Sequence, residues 1–230
     1  MSHWSCEGGV CRMVEDDEDV AAGVAGDPLK IGVLISGSGT NLQAIIDRIA
    51  DGSLNAEVAL VVSSRPGVKG IERAEAAGLP LLVMEKAEYA ADAEAADEKI
   101  AAALKGAGCE YVIMAGYMRM VRKPLLEAFP NRIVNLHPAL LPSFKGAHAI
   151  QDAFDYGVKV TGVTVHFADD KYDCGPIIAQ RALPVEEGWT VDELEEHIHA
   201  IEHELYPEVV ALLAAGRVHV TDSGRVTITG

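Results

Sequence analysis

Three polar residues, Asn135, His137 and Asp173, have side chains that together could stabilise a negative charge and move a proton. Asn135 and His137 stand two positions apart at the end of an apolar run, so on a strand both side chains would face the same way. An amide donor beside an imidazole suits an oxyanion, and the histidine can also donate or accept a proton. Asp173 ends the acidic loop 169–173, a setting that suits a functional carboxylate. The structural alternatives are a turn-capping asparagine, a satisfied core histidine and a solvated surface aspartate.

A glycine-rich turn, Ser36-Gly37-Ser38-Gly39-Thr40-Asn41, stands between an apolar run and a segment of helical spacing. Glycines let the backbone approach a ligand, and unpaired amides at a helix start point toward an anion, so the turn could hold a phosphate. It lacks the Gly-Lys-Ser/Thr of a Walker A loop, and Asn41 stands where a dinucleotide fingerprint has its last glycine. The alternative is an ordinary turn between a strand and a helix.

Two further segments are candidates to line a binding pocket. Glu202 lies at the edge of a helical apolar stripe, where a glutamate usually faces water but could instead hold a substrate amine. Met118-Arg119-Met120 follows a short apolar run, and it could line a pocket for a flat heterocycle or simply pack on the core.

A metal site has weaker support in the sequence than the polar cluster or the glycine-rich turn. His148 and His166 could join His137 and Asp173 around an ion, yet no two of these residues have HxxxH or HxH spacing. We therefore predict no metal.

The elements that must position these residues alternate along the chain from Leu29 onward. Short apolar runs predict strands, and the segments between them carry apolar residues at helical spacing. The predicted strands of this part are 30–35, 58–62, 81–84, 111–114 and 133–136. Strands buried on both faces are typical of a parallel sheet with crossover helices, so we predict an α/β fold with a doubly wound, mostly parallel open sheet, related to the Rossmann fold. Such sheets bind ligands at the carboxyl ends of their strands, where Asn135 and the glycine-rich turn lie.

After Lys159 the pattern changes to an alternation of apolar and polar residues. It predicts two antiparallel strands at one side of the sheet, near 163–167 and 177–184. A Thr-x-x-Glu capping box at Thr190 then begins a long C-terminal helix, and a short hairpin is predicted within 218–229.

The bulk composition indicates one large domain. With 230 residues, 49% of them hydrophobic, the chain can bury a core of its own, and we predict a single domain at 29–230. Residues 1–28 carry an acidic run and predict a disordered acidic tail, in which His3, Cys6 and Cys11 lack a fourth metal ligand.

Net charge and cysteine content limit the classes of binding partner and the cellular location that are compatible with this chain. A net charge of -16 disfavours binding to nucleic acid or to an anionic membrane, and no apolar run approaches the ~20 residues of a membrane helix. Four cysteines without a CxxC pair argue against a disulfide framework, and Cys174 beside a Gly-Pro turn is more typical of an inert cysteine than of a nucleophile. The predicted location is a reducing cytoplasm.

Four motifs taken in order resemble those of one family. They are Ile35-Ser36-Gly37-Ser38-Gly39-Thr40-Asn41-Leu42, Ala115-Gly116-Tyr117-Met118-Arg119, Asn135-Leu136-His137-Pro138-Ala139-Leu140-Leu141-Pro142 and Asp173-Cys174-Gly175-Pro176. The combination, within residues 29–215, resembles the glycinamide ribonucleotide formyltransferases of the formyltetrahydrofolate-dependent formyltransferase family.

The resemblance implies an enzyme of purine biosynthesis in which the amine of a ribonucleotide attacks the formyl group carried by 10-formyltetrahydrofolate, without a metal. Asn135 and His137 would then stabilise the tetrahedral intermediate, and Asp173 would orient the imidazole and assist proton transfer. The partners would be small molecules, and the chain a monomer or a homodimer.

The resemblance also implies binding residues for both substrates. Those for the substrate phosphate are Gly39, Thr40 and Asn41, and Glu202 would receive the amine. Those for the folate are Met118, Arg119, Val121, His166, Ala168 and Asp170. Residues 90–95 depart from the family because they contain no arginine for the phosphate.

Three other functions compete with this one. A formyltetrahydrofolate deformylase would use the same three residues to deliver water, but the family's deformylases carry an extra N-terminal domain. Methionyl-tRNA formyltransferases have a further basic domain. A non-catalytic folate- or nucleotide-binding module would not need all three polar residues.

Overall fold

The computed structural model describes residues 2–7, 10–15 and 26–230, with side chains from residue 26 onward. The strands are β1 (Ser2–Glu7), β2 (Val10–Glu15), β3 (Leu29–Ile35), β4 (Ala56–Ser63), β5 (Leu81–Val83), β6 (Tyr111–Met114), β7 (Ile133–His137), β8 (Val160–Phe167), β9 (Ile177–Pro184), β10 (Val218–Val220) and β11 (Val226–Ile228). The helices are α1 (Thr40–Ala50), α2 (Lys69–Ala76), α3 (Lys86–Ala91), α4 (Ala93–Gly106), α5 (Lys123–Ala128), α6 (Ala149–Tyr156) and α7 (Val191–Ala214).

The central sheet has seven strands in the order β5-β4-β3-β6-β7-β8-β9. Neighbours from β5 to β7 are parallel, and β8 and β9 are added antiparallel. The predicted doubly wound, mostly parallel sheet is therefore confirmed, as are the two antiparallel strands at one side. Strand order reverses between β3 and β6, and the crevice beyond the carboxyl ends of strands at such a point is where open α/β sheets bind ligands.

The core has two layers because the strands of the sheet are buried on both faces. In β3, Ile31, Val33 and Ile35 pack in the layer that contains α1 and α7, whereas Leu34 packs in the layer that contains α4. Alternate residues of a strand point to opposite faces, so an unbroken apolar run supplies both layers at once.

The long helix α7 covers one face of the sheet and reaches the site. It begins at the predicted capping box, in which Thr190 and Glu193 each bind the backbone amide of the other. Its fully buried Tyr206 has a hydroxyl 3.1 Å from the carbonyl oxygen of Met114 and 2.9 Å from that of Val134. The hydroxyl therefore joins α7 to two neighbouring strands, β6 and β7.

We expect Tyr206→Phe to lower the free energy of unfolding by about 1–2 kcal/mol, because the ring still fills its space while two buried carbonyls lose a donor. Urea denaturation measures the change. Tyr156→Phe is the matched control, since Tyr156 is 81% exposed. Equal stability of the Tyr206 variant and the wild type would contradict the role given to the hydroxyl.

The two chain ends carry separate ribbons. β10 and β11 pair antiparallel, which confirms the predicted terminal hairpin. β1 and β2 also pair antiparallel, two strands that were not predicted within the tail. Residues 16–25, which hold most of the acidic run, and the side chains of His3, Cys6 and Cys11 lie outside the described residues, so disorder of the tail stays a prediction.

No helix in the described part of the chain is long and apolar enough to cross a membrane.

Candidate active site

A cavity of about 370 Å³ opens at the carboxyl ends of β3, β6 and β7. Its walls come from residues 37–41, 114–121, 135–138, 146, 147, 150, 166, 168, 169 and 171–173, together with Glu195, His199 and Glu202 of α7. The predicted site residues, apart from Asp170, all line this one cavity although they are far apart in the sequence.

His137 lies at the end of β7 with 4% of its surface exposed. Its Nε2 is 2.8 Å from the carbonyl oxygen of Phe144. A carbonyl only accepts, so Nε2 carries the proton and the neutral ring leaves Nδ1 bare. Nδ1 is 3.6 Å from Oδ2 of Asp173. Burial lowers the pKa of His137 from its ordinary 6.5, and the Asp173 carboxylate only partly opposes this shift.

Asp173 is a buried carboxylate held from three sides. The amide of Gly146 donates to its Oδ2 at 2.8 Å, and its Oδ1 is 3.7 Å from Nε2 of His166. Burial alone would raise its pKa, but the His166 ring, the Gly146 amide and His137, the two rings in their protonated forms, together hold that pKa below its usual 3.8. The carboxylate is therefore charged at neutral pH.

The loops on both sides of His137 are conformationally unusual. Asp173 has a φ of 51° and Phe144 a φ of 50°, a left-handed region that non-glycine residues seldom adopt. At Gly175 a Cβ atom would lie 1.9 Å from the carbonyl oxygen of Phe167, so only glycine lets the Asp173 loop pass. Backbone strain of this kind is typical of functional sites.

Asn135 is oriented by a second histidine. Nδ1 of His166 lies 2.8 Å from the Phe167 carbonyl and must donate to it, so the neutral ring offers Nε2 as an acceptor. Nδ2 of Asn135 lies 3.2 Å from that atom and donates to it. The second N–H of the same amide is left for a ligand in the cavity.

The glycine-rich turn has the geometry of an anion cradle. Gly39 has a φ of 71° and caps α1, whose start receives no side-chain capping bond. The first amides of the helix therefore have no intrahelical acceptor, and residues 37–41 line the cavity. Arg73 of α2 holds the turn from outside, with its Nε donating to the carbonyl of Ser38 at 3.0 Å.

We expect Gly39→Ala to destabilise the fold by about 1–3 kcal/mol and to abolish binding of inorganic phosphate at the turn. A Cβ atom at Gly39 would lie 2.6 Å from Cα of Gly70, and its φ is unfavourable for alanine. Gly52→Ala is the control, because Gly52 has a φ of 80° but open space around it. Thermal unfolding of the two variants distinguishes the clash with Gly70, which only Gly39→Ala has, from the strain of a positive φ, which both have. Equal losses of stability in the two variants would contradict a role for the close approach to Gly70.

Glu202 is buried, although a glutamate at the edge of a helical apolar stripe usually faces water. It is 6% exposed and accepts a hydrogen bond from Nδ2 of Asn41 at 3.0 Å. Burial raises its pKa above the ordinary 4.5, although the Asn41 contact opposes this. The Oδ1 atom of Asn41 is buried without a partner among the described residues, so the pair can receive a donor from a ligand.

The part of the wall that follows β6 and β8 borders a second cavity. Met118 is 64% exposed at the rim, and the Arg119 guanidinium lies 3.6 Å above the Tyr89 ring. Val121 and Ala168 line both the main cavity and an adjoining one of about 570 Å³. Asp170, also predicted to bind folate, lines only the adjoining cavity.

The remaining candidates lie elsewhere. His148 does not line the cavity, and within residues 26–230 no three His, Cys, Asp or Glu residues could hold a metal ion. Cys174 is exposed, and its sulfur lies 2.8 Å from Nζ of Lys145 rather than against His137.

The sequence prediction missed two kinds of residue. Phe144 and Gly146 act through backbone groups, which carry no signal in a side-chain pattern. His199 was overlooked although it stands one helical turn before Glu202, a spacing that places both on one side of a helix.

Comparisons with known proteins identify the family of the chain. A family model described as formyl transferase matches residues 29–210. Phosphoribosylglycinamide formyltransferase of Bacillus subtilis (strain 168) is 42% identical over 184 residues, which cover 80% of this chain and 94% of that protein. The trifunctional purine biosynthetic protein adenosine-3 of Gallus gallus is 41% identical over 198 residues, 86% of this chain and 20% of that protein. The chain thus spans about a fifth of the length of this multifunctional relative.

Solved structures share the fold over nearly their whole length. Glycinamide ribonucleotide transformylase 1 from Symbiobacterium toebii has 49% identity and a TM-score of 0.85, covering 89% of this chain and 96% of that one. Phosphoribosylglycinamide formyltransferase from Anaplasma phagocytophilum has 35% identity and a TM-score of 0.82, covering 88% and 94%.

Proposed function

The chain belongs to the formyl transferase family, and on this basis we propose that it transfers the formyl group of 10-formyltetrahydrofolate to the amine of glycinamide ribonucleotide, a step of purine biosynthesis. The observation that carries the proposal is one cavity that joins an anion cradle, a buried carboxylate for an amine and the Asn135, His137 and Asp173 cluster.

The ribonucleotide binds across the width of the cavity. Its phosphate accepts hydrogen bonds from the amides of Gly39, Thr40 and Asn41 at the start of α1. Its amine donates to Glu202, which the Asn41 amide keeps in position. The two contacts hold the attacking nitrogen in one place, and such positioning is a large part of catalysis in a two-substrate reaction.

The folate lies against the opposite wall. Met118, Arg119, Val121 and Ala168 supply an apolar surface for its flat ring system, with His166 beside the reacting carbon and Asp170 in the adjoining cavity. Only binding across both walls brings the formyl carbon to the amine.

Transfer then proceeds by addition and elimination. The amine nitrogen forms a bond to the formyl carbon, and the carbonyl oxygen becomes an oxyanion that accepts from the second N–H of Asn135. The proton lost by the amine passes to the Asp173 and His137 pair, where Nδ1 of His137 is bare. The protonated Nδ1 can donate to the oxyanion beside the Asp173 carboxylate. The proton finally moves to N10 of the folate as its bond to the formyl carbon breaks.

A spectroscopic assay tests the proposal. The protein is given 10-formyltetrahydrofolate, and release of tetrahydrofolate is followed by absorbance with and without glycinamide ribonucleotide. Release that requires the ribonucleotide supports transfer. Release in water alone would replace the proposal with a deformylase, and no release in either case would indicate a binding module. Free glycinamide is the matched control, because it has the amine but no phosphate for the cradle.

The deformylase is the less favoured candidate because delivery of water requires neither an anion cradle nor a buried carboxylate for an amine. A cytoplasmic location and a monomeric or homodimeric state stay predictions.

A further inference from the structure

A lysine and a cysteine meet at the protein surface beside the active site. Nζ of Lys145 lies 2.8 Å from Sγ of Cys174, although the two residues are 29 positions apart in the chain. This separation is the length of an ordinary N–H···O hydrogen bond, and sulfur is a larger atom than oxygen, so the amine and the sulfur are in close contact. Both side chains are exposed to solvent. The proposed transfer of a formyl group uses neither of them.

The backbone of the active site fixes this contact. The amide of Gly146 donates to Oδ2 of Asp173 at 2.8 Å, and Lys145 and Cys174 are the immediate chain neighbours of this bonded pair. Gly146 and Asp173 have φ angles of 98° and 51°. At Gly175, on the other side of Cys174, an added Cβ atom would lie 1.9 Å from a backbone oxygen. The two loops therefore pass each other in one arrangement that keeps the amine and the sulfur together.

The surroundings of Cys174 are those of a cysteine that reacts with oxidants. Such cysteines are exposed and stand beside a positive group, because the thiolate is the reacting form. Cys174 is exposed, and the Lys145 side chain supplies the positive group. Cys109 is the contrast, because it is buried and burial raises the pKa of its thiol to about 11. Of these two cysteines, Cys174 is the one that a peroxide can reach and oxidise.

We propose that Lys145 and Cys174 form a redox modification site, at which a peroxide oxidises the thiolate and the lysine amine captures the product in a reversible S–N bond. Capture protects the neighbouring Asp173. An uncaptured sulfenic acid is open to a second oxidation to the sulfinic acid, which thiols do not reverse. A sulfinate at this position would place a lasting negative charge one residue from the buried carboxylate.

The oxidation balances with one molecule of hydrogen peroxide. The thiolate sulfur attacks one peroxide oxygen, the O–O bond breaks, and the leaving hydroxide takes a proton from the Lys145 ammonium to become water. The sulfur, now a sulfenic acid, has lost the two electrons that the peroxide gained, and the lysine is a neutral amine. Its nitrogen attacks the sulfur, so that an N–S bond forms, the S–O bond breaks, and the hydroxide leaves as water with one amine proton.

Capture competes well with a second oxidation because both groups already belong to one folded chain. The amine is in contact with the sulfur, whereas another peroxide molecule must arrive from solution. A dithiol reverses the bond: its thiolate attacks the Cys174 sulfur, the N–S bond breaks, and the Lys145 nitrogen takes a proton. The second thiol of the reagent then displaces Cys174 as a free thiol, and the reagent ends as a cyclic disulfide.

Peptide mass spectrometry of the full-length protein tests the proposal. After treatment with hydrogen peroxide, removal of the excess and digestion, we expect the peptides that contain Lys145 and Cys174 to be joined, at the sum of their masses less two hydrogen atoms. Dithiothreitol added before digestion should release both peptides unmodified. A free Cys174 thiol throughout, a sulfinic acid without the joined peptides, or a joined pair that contains an extra oxygen atom would each overturn the proposal.

Lys145→Arg distinguishes capture by the amine from the effect of its charge, because arginine keeps the positive charge but has no neutral amine to attack the sulfur. After peroxide and then dithiothreitol, we expect roughly tenfold less free Cys174 thiol in this variant than in the wild type, since its sulfenic acid goes on to the sulfinic acid. The side chain is exposed, so the variant should fold.

Lys159→Arg is the matched control, since Lys159 is an exposed lysine whose Nζ lies 3.6 Å from Oε1 of Glu187 rather than beside a cysteine. It should recover as much Cys174 thiol as the wild type. Equal recovery in the Lys145 and Lys159 variants would overturn the capture. These readouts do not use the formyl transfer reaction, so their outcome is independent of the proposed function.

Discussion

His137→Ala is expected to lower kcat by a factor of about 10²–10³ while KM for the ribonucleotide stays close to the wild-type value. The reason is that Nδ1 of His137 is the bare nitrogen facing both the cavity and the Asp173 carboxylate. Without it, Asp173 loses its partner in taking up the proton of the attacking amine, and the oxyanion keeps Asn135 but loses the second donor as the intermediate forms. Steady-state kinetics with both substrates measure the loss.

The pH profile adds a second measurement for the same residue. Burial lowers the pKa of His137 from 6.5, so the ring stays neutral at neutral pH and becomes protonated only in more acidic solution. We expect kcat/KM of the wild type to fall as the pH drops below about 6.5, because the added proton occupies Nδ1. The pH profile of His137→Ala should lack this fall in kcat/KM at acidic pH.

The matched control for His137→Ala is His148→Ala, a histidine that does not line the cavity. Circular dichroism and thermal unfolding check that both variants fold. Wild-type turnover in a folded His137 variant would remove this residue from the mechanism.

Asp173→Asn is expected to lower kcat by a factor of about 10²–10⁴, the range for loss of acid–base assistance. Asparagine has the same size, tolerates a φ of 51° and can still accept from the Gly146 amide, so the loop should keep its shape. What the substitution removes is the negative charge beside His137. The imidazolium that forms during proton transfer then has no carboxylate to stabilise it, and the intermediate rises in energy.

Linkage between pH and stability checks that the same carboxylate is charged in the folded protein. The pKa of Asp173 is lowered, so its charged form stabilises the fold above its ordinary pKa of 3.8, and the contribution is lost as the pH falls through the folded-state value. Asp173→Asn should therefore cost stability at neutral pH and progressively less in acid. Asp152→Asn on α6 is the control, and a kcat of the Asp173 variant equal to that of this control would contradict the mechanism.

The alternation of strands and helices could be predicted from the sequence because it depends on local patterns of apolar residues. The apolar run of β3 and the helical spacing that follows it predict a strand, a turn and a helix without reference to any other part of the chain. The fold and the family predicted from these patterns and motifs are confirmed. Differences are small where packing decides the boundary: β7 continues through His137, and β5 ends at Val83.

For the site as well, the sequence predicted some features and the tertiary structure decided others. The sequence by itself determined which residues could do chemistry, and the motif around Asn135 and His137 even determined that both lie at the end of one strand. Only the tertiary structure decided that Glu202 is buried against Asn41, that backbone groups of Phe144 and Gly146 hold the His137 and Asp173 pair, and that His199 lines the cavity. Contacts between residues far apart in the chain depend on how helices dock and loops cross the sheet edge, and backbone donors have no residue type to reveal them.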